Sequence, residues 1–346
     1  MSVDKRAEGS VYLYQPSHVL PIIFSILVGL SWLGHIYQNF RYKAWRITFF
    51  MVWGGSVFTA GWVCRAISSF QTTSSSLYMA QTILLYAGPP IYSAAEYSVL
   101  GRLMYHLPMY APFDPGHVTL FFIYLGAAVE ALAAAGAAYI GANRHTTDIS
   151  IFITGGKLLS ASLLLQAVLE LFFIIMVAYL HRRASRDGLA TRNVRTLCIM
   201  LYGTSTFVLL RCTARAIESF GTQTVTHCTP LCRILLFHEW FLYVFEAAPM
   251  VIYTYWINFI HPGRLLPKNK KCYLDPDGTT ERLGPGWIDK RARASRWTDL
   301  LDIRGLMNNK RTRDAFWLRP DEWPVVPESS LPDIRKSSKS VQDGRG

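Results

Sequence analysis

Apolar residues along this chain come in long blocks. Blocks of about 20 residues fall near 18–39, 46–67, 77–103, 117–141, 151–180, 196–215 and 238–260, each bounded by polar or basic clusters. A helix of that length matches the hydrocarbon thickness of a bilayer. The pattern therefore predicts an all-α, polytopic membrane protein with seven transmembrane helices. The sixth block is the weakest, because Arg211 and Arg215 lie at its end. An odd number of crossings sets the two termini on opposite sides of the membrane.

Composition agrees with this pattern and adds an orientation. Of 346 residues, 51% are hydrophobic and 14% aromatic, more apolar surface than one soluble core needs. The net charge of +12 is shared, with 17 Lys/Arg against 11 Asp/Glu in residues 1–260 and 18 against 12 in residues 261–346. These basic residues cluster beside the apolar blocks, which points to topology and anionic headgroups; no basic stripe interleaved with aromatics suggests nucleic acid. Placing Arg41, Lys43, Arg46, Arg102, the 182–195 cluster and Arg264 to Lys271 on the cytoplasmic side sets the N-terminus outside and the C-terminus inside. The plasma membrane is the expected location. Residues 1–17 read as an extracellular segment without a removable signal, 18–264 as the membrane domain, and 265–346 as a basic, mostly disordered cytoplasmic tail. Within that tail, 297–307 could form a short amphipathic surface helix, and the last dozen residues are expected to be disordered.

Two stretches look like copies. Cys64 to Phe70 closes the second block and Ala214 to Phe220 closes the sixth, sharing Ala-Arg-Ala-Ile or its near equivalent and a terminal Ser-Phe. Each precedes a block with Tyr and Pro: Tyr86 with Pro89 and Pro90, then Tyr243 with Pro249. This suggests a parallel repeat of helices 1–3 and 5–7 about helix 4, with chance similarity as the rival. The prolines are candidate bends beside a cavity or static kinks. The small-residue run 131–138 reads as a close-packing face.

Ionisable residues inside apolar blocks carry the functional signal. An ionised side chain in hydrocarbon is costly unless it pairs, protonates or meets water. Arg211, Arg215 and Glu218 share one helical face, as do Glu239, Tyr243 and Glu246. Arg65, Arg211, Arg215, Glu218 and Glu239 read as a structural charge network. Glu246, Tyr243, Glu130, Glu96 and Gln166 read as the substrate-binding set, with Glu246 and Glu130 placed to meet a cationic headgroup or to pair internally. Lys157 and Glu170 also fall inside the fifth block. Among the six cysteines only Cys228 and Cys232 share a predicted loop, where a disulfide is one reading. There is no Walker A sequence, no G-x-S-x-G elbow and no H-E-x-x-H pair, so no catalytic residue, cofactor or metal is expected.

Several of these residues together resemble a known family. Tyr14-x-Pro16-Ser17, Gly61-Trp62-x-x-Arg65, the run Gln81 to Arg102, Gln166, Arg211-x-x-x-Arg215-x-x-Glu218, Glu239-x-x-x-Tyr243-x-Phe245-Glu246-x-x-Pro249 and His261-Pro262-Gly263 are similar to the fungal seven-helix RTA-like lipid-translocating exporters. The resemblance covers about residues 12–264. In the fourth helix, where such proteins usually carry an Asp and a Gln, Gly126 and Ala133 stand instead, leaving Glu130 as the only carboxylate. The resemblance implies efflux or flipping of amphipathic lipids, sphingoid-base or sterol-like, linked to stress or drug resistance. The partners implied are membrane lipids or amphipathic small molecules; oligomeric state is open. On this reading Glu246→Gln abolishes tolerance to an exported amine with expression intact. A seven-helix receptor or stress sensor acting through the 181–195 loop and the tail is the alternative, and a membrane-embedded cyclase or isomerase using Glu96, Glu130 or Glu246 as acid is a third.

Overall fold

The computed structural model describes residues 10–12, 14–142, 149–223, 238–287 and 315–327. Six long helices come first: α1 (Val19–Tyr42), α2 (Trp45–Phe70), α3 (Ser75–His106), α4 (Pro115–Ala142), α5 (Ile149–Arg186) and α6 (Arg192–Gln223). The seventh, α7, is built from a turn Trp240–Leu242, a π-helical turn Tyr243–Ala247 and an α-helix Ala248–Phe259. Each helix packs on its neighbours in sequence, and α7 closes the ring against both α6 and α1.

The outward faces of the bundle are apolar, while its interior combines an apolar core with buried polar and charged groups. On α1 the side chains of Val19, Ile22, Ile26, Leu30 and Leu33 point outward, whereas Ser31, His35 and Asn39 are buried. Those polar groups are satisfied by α7 and α2. Asn258 Nδ2 donates to Ser31 Oγ at 2.7 Å, His35 Nε2 lies 3.2 Å from Thr254 O, and Thr48 Oγ1 donates to Asn39 Oδ1. Only lipid makes such an arrangement favourable, since in water the apolar face would be the one to hide.

Five helices are long and apolar enough to cross a membrane by themselves: α1, α2, α4, α5 and α6. The other two differ for physical reasons. Seventeen residues of α3 are buried, among them Gln81, Ser93, Glu96, Ser98 and His106, so it lies between other helices and needs little lipid-facing surface. α7 is interrupted by its π-turn. Pro249 has no N–H to return to the carbonyl of Phe245, and the ladder widens by one residue, Ala248 N bonding Tyr243 O. Pro89 and Pro90, by contrast, lie within a continuous α3.

Small residues set the closest approaches. A Cβ at Gly136 would come within 2.9 Å of Gly155 O and 3.0 Å of Leu159 N, so the small-residue face of α4 is where α5 packs. At Gly61 it would meet Leu85 N at 3.1 Å, which fixes α2 against α3. α5, at 38 residues, is roughly 57 Å long, well beyond the hydrocarbon core, and Gly188 at φ +74° ends the turn that follows it.

The segment expected to be a mostly disordered tail is partly folded. After α8 (Pro262–Leu265), strands β1 (Cys272–Leu274) and β2 (Glu281–Leu283) form an antiparallel hairpin around a turn with Gly278 at φ +73°. Leu283 N and Val326 N tie β2 and the 324–326 segment together, and Tyr273, Phe316 and Trp317 make a second small core. His106 Nε2 at the end of α3 stands 3.8 Å from Glu281 Oε1. The hairpin thus caps α3. Cys228 and Cys232, the 297–307 stretch and the last dozen residues lie outside the described residues.

Candidate functional site

Where α2 and α6 end and α7 begins, three arginines meet three glutamates. Arg65 Nη2 donates to Glu239 Oε1 and to Tyr14 OH, both at 2.8 Å, and Tyr243 OH donates to the same Glu239 oxygen at 2.9 Å. The other Glu239 oxygen accepts the Ser17 N–H at 2.7 Å. Arg215 holds Glu218 through Nη1 and approaches Glu246 Oε2 through Nη2, each at 2.5 Å, while Arg211 Nη2 reaches Glu246 Oε1 at 3.4 Å. The Arg215–Glu246 contact is off the hydrogen-bonding angle, so it is an ion pair held by charge.

The chain before α1 closes over this network as a strap. Tyr12 is buried, its hydroxyl hydrogen-bonded with Ser68 Oγ and Gln81 Oε1, and the Arg65 guanidinium stands 5.0 Å from the centre of its ring. Burial pushes the Tyr14 phenol up to about 12 despite the adjacent Arg65, so at neutral pH it is an uncharged acceptor for that guanidinium.

The stretches read as copies meet crosswise. Arg65 of α2 bonds Glu239 at the start of α7, and Arg215 of α6 lies 4.5 Å over the Tyr86 ring of α3. Between the two arginines opens a cavity of about 180 Å³, its wall including Tyr12, Tyr14, Arg65, Tyr86, Arg215 and Glu218. Glu218 is the most exposed acid of the network, its side chain 27% accessible against 4% for Glu246. Beneath it, Trp62, Tyr243 and Phe24 stack at 5.2–5.8 Å between ring centres.

Deeper in the bundle the acids change company. Glu96 of α3 and Glu170 of α5 are fully buried and flanked by hydroxyls: Ser205 Oγ donates to Glu96 at 3.3 Å and Tyr97 OH to Glu170 at 3.4 Å. Glu96 Oε1 and Glu170 Oε1 have no hydrogen-bond partner. On α4, Glu130 Oε2 likewise has no hydrogen-bond partner among the described residues. Gln166 is buried on α5 one turn before Glu170.

Glu246 is therefore no lone mid-membrane carboxylate; two guanidiniums hold it. Arg65, Arg211, Arg215, Glu218 and Glu239 do come together, joined by Tyr243 and Glu246 from the substrate-binding set; of these Arg65, Arg215 and Glu218 line the cavity, and Glu246, Tyr243, Glu130, Glu96 and Gln166 do not. The sequence reading missed Tyr12 and Ser205. Ser205 and its neighbour Thr204 were within reach, since Thr204 is seven residues before Arg211 on the same face of α6.

Long helices closed into a ring, with apolar outer faces and five of them apolar enough to cross a bilayer, define a multi-pass membrane protein. The chain belongs to the RTA1 like protein family, whose model matches residues 51–269. It is 32% identical over 83% of its length to a lipid-translocating exporter-like protein RTA1 of Leptosphaeria maculans, 58% of whose length is covered. It is also 27% identical over 69% of its length to a protein of that name from Ajellomyces capsulatus, with 75% of the relative covered, and 26% identical over 62% to protoporphyrin uptake protein 1 of Saccharomyces cerevisiae, with 70% covered. The chain spans less than two thirds of the Leptosphaeria relative. No solved structure matches.

Proposed function

We propose that this protein is a translocase moving amphipathic lipids or lipophilic compounds between leaflets, with the polar headgroup passing along the seam between α2–α3 and α6–α7. The observation that carries this reading is the cavity between Arg65 and Arg215. It holds opposite charges within reach of each other, which suits a headgroup bearing an amine or an amine with a phosphate. Buried polar groups are available deeper in the bundle, Glu246 with Arg211 and Arg215 in one cluster and Glu96 with Ser205 in another. The lipid-translocating names of the relatives support the same class.

An amine arriving in the cavity meets Glu218 first. It competes with Arg215 for that carboxylate, and Arg215 retains Glu246. Exchange among neighbouring partners lets a charge move without any group being left bare in a low-dielectric site. The finer reading is a sphingoid-base or sterol-like cargo exported to the outside at the plasma membrane, with the cavity facing outward, the N-terminus outside and the C-terminus in the cytoplasm. The crosswise contacts support a parallel repeat of helices 1–3 and 5–7.

Reconstitution tests this. Liposomes containing the full chain should move a fluorescent sphingoid base across the bilayer faster than protein-free liposomes, and Glu218→Gln should lower that rate by about tenfold, the size of one lost charge-assisted contact. Rates equal to those of protein-free liposomes for both a lipid amine and a sterol would remove the translocase reading.

A further inference from the structure

A second cavity, at the opposite end of the bundle, has a different chemistry. It is about 280 Å³ and is lined by Lys43, Arg46, Arg102 and Lys268 together with Trp45 and backbone of the 44–47 and 263–268 segments. Among the described residues, four basic residues and no acidic one line it. At the arginine network every guanidinium has a glutamate; here the positive charges are left facing one space.

Three further observations bear on what fills it. Arg102 is fixed in place because its Nη2 donates to Pro267 O at 2.5 Å and to Lys268 O at 3.1 Å, yet its buried Nε has no partner. Lys43 ends α1 with φ +54°, a left-handed conformation that glycine or asparagine adopts far more readily, so a lysine is held in this wall at a conformational cost. Beside the opening, Phe40 and Trp45 expose 66% and 36% of their surface and pack edge to face at 5.0 Å. A basic pocket bordered by outward-facing aromatic rings matches a polar head with acyl chains attached.

We infer that this cavity binds the phosphate headgroup of an anionic lipid in the leaflet at the hairpin end of the bundle. Lys43, Arg46 and Lys268 would supply charge from three segments, Arg102 a fixed donor beneath them, and Phe40 with Trp45 the contact for the chains. On the topology proposed above this is the cytoplasmic leaflet, where anionic lipids concentrate. Because α8 and the approach to β1 form one wall and the α1–α2 turn another, a bound headgroup would also fasten the hairpin cap to the bundle. The inference does not depend on translocation.

Native mass spectrometry of the full chain, released from nanodiscs of phosphatidylcholine with phosphatidylinositol 4-phosphate, tests it. The wild type should retain the phosphorylated lipid, and the double variant Lys43→Gln, Arg46→Gln should weaken retention by about twenty-fivefold, from about fivefold for each basic residue near a headgroup. Lys270→Gln with Lys271→Gln removes the same charge from exposed positions outside the cavity and should change retention by less than about twofold. Equal losses in the two double variants would overturn the site in favour of diffuse attraction. Stripping of the lipid by millimolar inorganic phosphate, with no preference for the anionic lipid over phosphatidylcholine, would overturn the lipid assignment and make free phosphate the occupant.

Discussion

Glu246 and Glu96 are both glutamates of inner helix faces, 3% and 1% exposed, yet they occupy unlike surroundings. Glu246 stands between Arg211 and Arg215, on a helix widened by a π-turn. Glu96 faces Ser205 and a second carboxylate, Glu170, with no guanidinium bonded to it. Removing the first takes from Arg211 the carboxylate it is paired with and leaves Arg215 with Glu218 alone; removing the second takes a partner from no cation. The same residue type therefore serves as a clamp in one place and as an open polar group in the other, and the difference comes wholly from what α5 and α6 bring opposite it.

The widest separation is expected between the two neutral isosteres. Glu246→Gln should destabilise the protein by about 3 kcal/mol, because buried Arg211 loses its paired carboxylate and Arg215 one of its two, whereas Glu96→Gln should cost under about 1 kcal/mol. Thermal unfolding in detergent compares them directly; equal shifts would mean that the clamp is not what holds Glu246. The expectation that Glu246→Gln leaves expression intact is revised by its two partners, and a fall in folded yield should accompany any loss of transport.

A smaller effect sharpens the same contrast at the strap. Arg65→Ala should cost about 2 kcal/mol by freeing Glu239 and Tyr14, and Arg65→Lys should recover roughly half, since an ammonium on a shorter side chain lacks the flat guanidinium face that lies against Tyr12. Protease cleavage within residues 10–17 would report strap release, and full recovery by lysine would make the contact purely electrostatic.

Asp277, in the turn of the hairpin, gives a third carboxylate environment and the smallest effect. Slight burial pushes its pKa up, but hydrogen bonds from Thr280 and Thr279 outweigh that and bring it down from 3.8 to about 2. A carboxyl held below its unfolded value adds stability that is complete above about pH 4 and lost as pH falls through about 2. Solvent screening limits it to under about 1 kcal/mol. Chemical-shift titration of the Thr279 and Thr280 amides should follow that midpoint, and Asp277→Asn should abolish the shift.

Hydrophobic blocks announced all seven helices, α3 and α7 included through 77–103 and 238–260, because a segment that crosses a bilayer must be apolar over most of its length. The charge network was legible from the i, i+4, i+7 spacing of Arg211, Arg215 and Glu218 and of Glu239, Tyr243 and Glu246, which puts each set on one face. Which acid would meet which base was not, since Arg65 and Glu239 are 174 positions apart and only the ring closure brings them together. The hairpin was hidden for the opposite reason. Its Asp-Pro-Asp-Gly turn signal stood in the open, but among so many charges the few aromatic residues that pack it, Tyr273, Phe316 and Trp317, looked too sparse for a core.

The buried character of α3 bears on how the protein is made. A segment so poor in lipid-facing surface gains little by leaving the translocon alone, whereas the five apolar helices can each partition by themselves. α2 is its most extensive partner and precedes it by a short turn, so the two should enter the bilayer as a hairpin. Nascent chains that stop just after α3 would then hold that helix beside the translocon, and those carrying α4 to α6 would release it into the finished ring.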